Sequence, residues 1–227
     1  TFAAALSSAP AEAVTFNASF APFRISAKPG PVLTTSYRLG LDEADPHTQF
    51  KVDVQDWWRS EDGRQSLYAP AGSISRSCGR WVAANPMEAT VAGGDVLQVR
   101  LTVSVPSDVQ PGGYWCAISV DEMPDPLATT PEGVGVKFLA SVSRGIYVFI
   151  DPVERGADVL DITVDGKSAT ARVENTGNAP ATVEGRFVFL KPGDTRPAAV
   201  VTLPRNVLLT EPDRKSTRLN SSHTDIS

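Results

Sequence analysis

Histidine is nearly absent from this chain, with His47 and His223 as its two examples in 227 residues. That scarcity excludes most metal sites and most acyl-transfer triads, which need an imidazole held close to a partner. Cysteine is equally scarce, at two, so no zinc knuckle or iron–sulfur cluster can be assembled. Basic residues do not exceed acidic ones: 21 Lys and Arg stand against 26 Asp and Glu, for a formal net charge of −5. An acidic chain without a basic patch is a poor nucleic-acid partner. No apolar run is long enough to cross a bilayer as a helix. The sequence also lacks Gly-x-Ser-x-Gly, a phosphate-binding loop and a dinucleotide fingerprint. Together these absences point to a non-enzyme without cofactor or metal.

What is present is alternation. In residues 95–120, Leu97, Val99, Leu101, Val103 and Val105 alternate with Gln98, Arg100, Thr102 and Ser104. A period of two marks a strand with one buried and one wet face. A Pro/Ser/Asp/Gly turn follows, then a second strand with Tyr114, Cys116, Ile118 and Val120 on one face. Two strands so joined are the unit of a β-sandwich. The same reading predicts an edge segment over 14–28, a strand over 32–41 and another over Gln49–Trp58 that leads to an Asp62-Gly63 hairpin turn, with Trp81–Pro86 leading to the Ala92-Gly93-Gly94-Asp95 turn. Residues 65–77 read as short strands, and 121–133 as a long polar loop. A last strand runs over 134–150 with a bulge at Arg144-Gly145. Asp151-Pro152 then reads as a hinge, because proline cannot continue a central ladder.

The fold class expected is all-β: an immunoglobulin-like antiparallel β-sandwich over 14–150, followed by a second, truncated β-sandwich over 151–213. Tyr114, two residues before Cys116 and after Pro111-Gly112-Gly113, resembles the tyrosine corner of such domains. The ends read differently. Residues 1–13 close on Ala11-Glu12-Ala13 and look like a signal-peptide remnant, which places the chain outside the cytoplasm. Residues 214–227, RKSTRLNSSHTDIS, resemble translated sequencing-adapter read-through and are set aside from fold reasoning.

Several residues invite a specific reading. Cys78 and Cys116 can pair in an oxidising compartment; the alternative is two separate buried thiols. Neighbouring strand residues face opposite ways, so phase puts Trp58 inward with Phe50, Val52 and Val54. Trp57 and Trp115 then point outward. Outward indoles can stack on a sugar or anchor a protein. The simpler expectation is that loops or the second domain cover them. Asp42, Glu43 and Asp45, and likewise Asp121, Glu122 and Asp125, read as solvated loop charge, since neither set has a calcium-loop spacing. Asp53 and Asp56 read as exposed strand charge.

The segments Phe20-Ala21-Pro22-Phe23-Arg24-Ile25, Asp56-Trp57 to Asp62-Gly63, and Arg144-Gly145-Ile146-Tyr147-Val148-Phe149-Ile150-Asp151-Pro152 resemble bacterial extracytoplasmic immunoglobulin-like proteins related to periplasmic pilus chaperones. That resemblance covers residues 14–152. It implies that the edge strand 134–150 lends alternate apolar side chains, Val134, Val136 and Phe138 among them, to a subunit's sheet. It also implies that Arg24 meets the subunit's terminal carboxylate. The lysine that would share this task falls on or near Tyr147. Three functions follow from the sequence. The first is a non-catalytic exported interaction or surface scaffold with a protein partner. The second is a pilus-type assembly chaperone. The third is a carbohydrate-binding module using Trp57 or Trp115.

Overall fold

The computed structural model describes residues 16–18, 21–60, 65–124, 139–165, 168–210 and 216–222. Val134, Val136, Phe138, Phe20, the Asp62-Gly63 turn and the segment 1–13 lie outside the described residues. Two sheets face each other in the first sandwich. One contains β1 (Phe16–Ala18), β3 (Val32–Leu41), β8 (Val96–Ser104) and β6 (Val82–Asn85), in the order β1-β3-β8-β6. The other contains β2 (Phe23–Ala27), β10 (Ser141–Ile150), β9 (Gly112–Glu122), β4 (Thr48–Arg59) and β5 (Ser66–Pro70), in that spatial order, with β7 (Glu88–Val91) also paired to β4. The chain therefore changes sheets between β1 and β2. β1 runs antiparallel to β3, and β2 runs parallel to β10.

The core follows the alternation. Tyr37, Leu39 and Leu41 of β3 and Leu97, Val99, Leu101 and Val103 of β8 meet Phe50 and Val52 of β4. Cys116, Ile118 and Val120 of β9 and Ile146, Val148 and Ile150 of β10 close the same cluster. Tyr114 donates its hydroxyl to the Gln110 carbonyl at 2.9 Å, which is the tie-back expected of a tyrosine corner. Cys78 and Cys116 are bridged, with Cα atoms 5.3 Å apart.

Three expectations are corrected. Arg144-Gly145 is not a bulge: β10 stays in register with β9 from Ser141 opposite Asp121 to Ile150 opposite Gly112. Glycine stands at 145 because a Cβ there would meet the Tyr147 ring at 3.3 Å. Asp121 and Glu122 are not in a loop, since β9 continues through them. Asp121 accepts the Ser119 and Ser141 hydroxyls, and Glu122 accepts the Ala140 N–H at 3.1 Å, so both tie the start of β10 to the end of β9. Residues 71–78 are not strand but a loop packed on the sheet, joining β5 to a single 3-10 turn at Gly79–Trp81.

Past Asp151-Pro152 come two smaller sheets. β11 (Ala157–Asp165), β12 (Ser168–Asn175) and β15 (Ser216–Ser222) form one, and β13 (Ala181–Leu190) and β14 (Pro197–Leu208) the other. β15 pairs with β12 although its segment has no apolar period; a ladder needs only backbone donors and acceptors. Ala171, Val173, Leu203 and Leu208 form a small core of their own. The alternation of β11 stays exposed: no described element covers Val159, Ile162 or Val164.

The two domains meet at glycine. Gly113 donates its N–H to the Asn178 carbonyl at 2.9 Å, and Asn178 also joins Pro152 and Glu154 through its amide. Gly112 has φ 125°, and a Cβ at Gly113 would lie 2.4 Å from Pro180 Cδ, so neither site has room for a side chain. The turn Asn175-Thr176-Gly177-Asn178 is held from within. Buried Asn175 donates to the carbonyls of Ala179 and Leu208 and accepts from Gly177 N–H.

Candidate binding edge and its aromatic face

The β2–β10 edge is the place where strand geometry and charge coincide. β10 pairs with β9 along its whole length, but β2 pairs only with Ile146–Ile150. Among the described residues no strand pairs with Ser141–Gly145 on the side away from β9. With respect to the described residues, that stretch keeps backbone donors and acceptors without a strand partner, the requirement for adding a strand. Arg144 guards its base. Its guanidinium lies 3.6 Å from the Phe23 ring centroid and its Nε donates to the Ala21 carbonyl. It thereby fixes the approach of the chain to β2.

Arg24 sits directly opposite Tyr147 in the β2–β10 register. Its guanidinium lies 5.3 Å from the Tyr147 ring centroid and its side chain is exposed. Tyr147 is itself buried, stacked on Phe149 and edge-on to Trp57. Burial pushes its phenol up to about 12, with the positive charges of Arg24 and Arg59 pulling the other way. The sign follows: the phenolate is disfavoured in the folded state, so stability is full below the unfolded value near 10 and is lost as pH rises toward 12. We expect a loss of about 2–3 kcal/mol across that window, and an absorbance titration of phenolate to show one tyrosine shifted upward. Arg24→Gln should raise that value further.

Trp57 and Trp115 do face away from the sandwich interior, and there the structure corrects the idea of open indoles. They are 7% and 0% exposed. They form a second apolar cluster with Ile74, Ala117, Tyr147 and Phe149, covered by Ala179 and Leu209 of the second domain. The physical reason is a gap in the sheet. The β4–β9 ladder ends at Gln55 opposite Ala117, and the indoles take over its hydrogen bonds. Trp57 Nε1 donates to the Cys116 carbonyl at 3.1 Å, and Trp115 Nε1 donates to the Trp57 carbonyl at 2.8 Å. Trp58, expected inward, packs half-buried against this second cluster instead.

Asp56 is the residue that pattern reading missed. It is fully buried rather than exposed strand charge. Its Oδ2 accepts the N–H groups of Gly72, Ser73 and Ile74 at 2.9, 2.6 and 3.1 Å, and its Oδ1 accepts the Ser77 hydroxyl. One carboxylate therefore shapes the whole 72–77 loop. The same loop is laid along β9, where Trp115 donates to the Arg76 carbonyl and Cys78 donates to the Trp115 carbonyl. Among the described residues no group of three acidic, histidine or cysteine side chains is placed to hold a metal, and no helix is long and apolar enough to cross a membrane.

In sequence the chain matches no family model and no curated protein. In structure it resembles solved chaperones over nearly its full length. A CsuC–CsuE chaperone–tip adhesion subunit pre-assembly complex from Acinetobacter baumannii superposes with TM-score 0.54 at 13% identity, covering 95% of this chain and 90% of that one. A chaperone–tip adhesin complex of CFA/I fimbriae biogenesis gives 0.53 at 11% identity, over 94% and 95%. The E. coli chaperone DraB gives 0.50 at 12%, over 92% and 86%. The protein has the two-domain immunoglobulin-like β-sandwich fold found in periplasmic pilus chaperones.

Proposed function

We propose that this protein is a non-catalytic periplasmic assembly chaperone of the pilus type, which captures a subunit by strand addition along its edge strand, residues 134–150. The observation that carries this reading is the open stretch Ser141–Gly145 of β10, placed beside Arg24 at the foot of a parallel β2–β10 pair. An added strand would gain main-chain hydrogen bonds there, and alternate apolar side chains from 134 to 140 would supply fit, while Val142 belongs to the core. The full-length likeness in fold supports it. A more general interaction scaffold asks for no such open edge, and a sugar platform at Trp57 or Trp115 would need rings that the second domain leaves uncovered.

The test is co-expression with pilus-type subunits, followed by co-purification. Phe138→Asp and Arg24→Ala are each expected to reduce capture at least tenfold. Unchanged capture by both variants would end the proposal.

A further inference from the structure

Two further strand edges stay open besides Ser141–Gly145. The first is on β3. β1 pairs only with Leu39–Leu41, and among the described residues no strand pairs with Val32–Ser36 on the side away from β8. Beside this stretch the seam between the two sheets opens into a cleft of about 280 Å3, walled in part by Ile25 of β2, Leu33 and Thr35 of β3, and Val103 of β8. Arg24 is the charged residue of its lining. The β1-β3-β8-β6 strands carry Arg38 and Arg100, both exposed, and no Asp or Glu. The second open edge is β11, which pairs with β12 on one side and with no described strand on the other. Val159, Ile162 and Val164 stand opposite Val173, Ala171 and Ala169, so they lie on the face that β12 buries. They are nevertheless 60%, 56% and 61% exposed. β11 also carries Asp158, Asp161 and Asp165, and no Lys or Arg.

We propose that the β11 edge of one molecule adds to the Val32–Ser36 edge of a second copy of this chain. Main-chain hydrogen bonds then run on from β3 into β11, and the two sheets become one. The apolar face of β11 comes over the cleft, where Val159, Ile162 and Val164 meet Ile25, Leu33 and Val103 of the second copy and leave water. On the other face Asp158, Asp161 and Asp165 come beside Arg38 and Arg100. Charge selects this pairing of unlike edges. Two β11 edges would set carboxylates against carboxylates, and two β3 edges would bring arginines together, whereas opposite charges across a strand pair attract. The contact leaves Ser141–Gly145 open, so it neither needs nor excludes subunit capture. The two surfaces differ, so each molecule offers one of each.

Sedimentation velocity of the full chain over a concentration series reads the contact. In dilute salt the chain should associate reversibly. In about 1 M NaCl, where charges are screened beyond about 3 Å, it should associate at least fivefold more weakly. Ile162→Asp should weaken association at least tenfold, because it sets a carboxylate over the apolar cleft. Asp161→Lys/Asp165→Lys and Arg38→Glu/Arg100→Glu should each do the same. An equimolar mixture of those two variants should associate like the parent, since reversed edge then meets reversed edge and native meets native. Hydrogen exchange in the associated parent should slow at Val32–Ser36 and along β11, and not at Ser141–Gly145. A parent that sediments as a monomer at every concentration, or a mixture as weak as its components, would overturn the proposal. So would association indifferent to Ile162→Asp, or exchange protection confined to Ser141–Gly145, which would place the contact on the capture edge. If a charge-reversed variant does not melt like the parent, the exchange pattern of the parent decides alone.

Discussion

Asp56→Ala is expected to lower stability by about 3–5 kcal/mol, because unmade hydrogen bonds to partly buried donors cost roughly 1–3 kcal/mol each. Three backbone N–H groups and one hydroxyl converge on this side chain. Those of Gly72 and Ser73 can turn to water, since both residues are exposed, whereas Ile74 is buried. That difference keeps the expected loss below the sum of four full penalties. The loop should then detach from β9 and uncover Trp57, which Ile74 packs against. Urea unfolding followed by tryptophan emission gives the measurement: a lower midpoint at similar slope, with emission already red-shifted in the folded baseline. A loss under about 1 kcal/mol would mean that the loop holds itself in place without the carboxylate.

Cys78→Ala, or reduction of the bridge, should cost about 4 kcal/mol by the chain-entropy argument for a loop of this size. The cysteines are 38 residues apart, and the closed loop contains β6, β7 and β8. It therefore ties a large part of one sheet to the central strand of the other. Non-reducing and reducing melts of the parent, compared with Cys78→Ala, separate the bridge from side effects of reductant. The parent under reductant and the variant should coincide. The two sites are coupled: Asp56 fixes the loop that delivers Cys78 to Cys116. The double variant should thus lose less than the two single losses added together. Strict additivity would show that the bridge forms independently of the loop's shape.

Much of the first sandwich was legible because a half-buried strand writes its face into every second residue. β3 was predicted at its observed bounds, and the buried faces of β8 and β9 fell where Leu97–Val105 and Tyr114–Val120 alternate. Tyr114 was legible for the same local reason: its partner, Gln110, is four residues away. Phase also put Trp57 and Trp115 on the outward face. It could not say what lies above that face, because Ala179 and Leu209 arrive from far along the chain.

Asp56 was misread because alternation carries no information about a carboxylate whose partners are backbone N–H groups of a later loop. Any sequence there supplies those donors, so no side-chain signal marks them. Arg59 was overlooked for a related reason. At the end of a strand next to a turn it looks like ordinary surface charge; its effect on Tyr147 depends on β4 and β10 lying in one sheet.

The sequence by itself determined the all-β class, the order of the main strands, their buried faces and the tyrosine corner. Each depends on contacts within a strand or across a short turn. Only the tertiary structure decided the change of sheet between β1 and β2, the closing of the Cys78–Cys116 bridge, the burial of the tryptophans under the second domain, and the gathering of two arginines around Tyr147. Those depend on which distant strands become neighbours, and backbone pairing fixes that through donors and acceptors that nearly every residue carries alike.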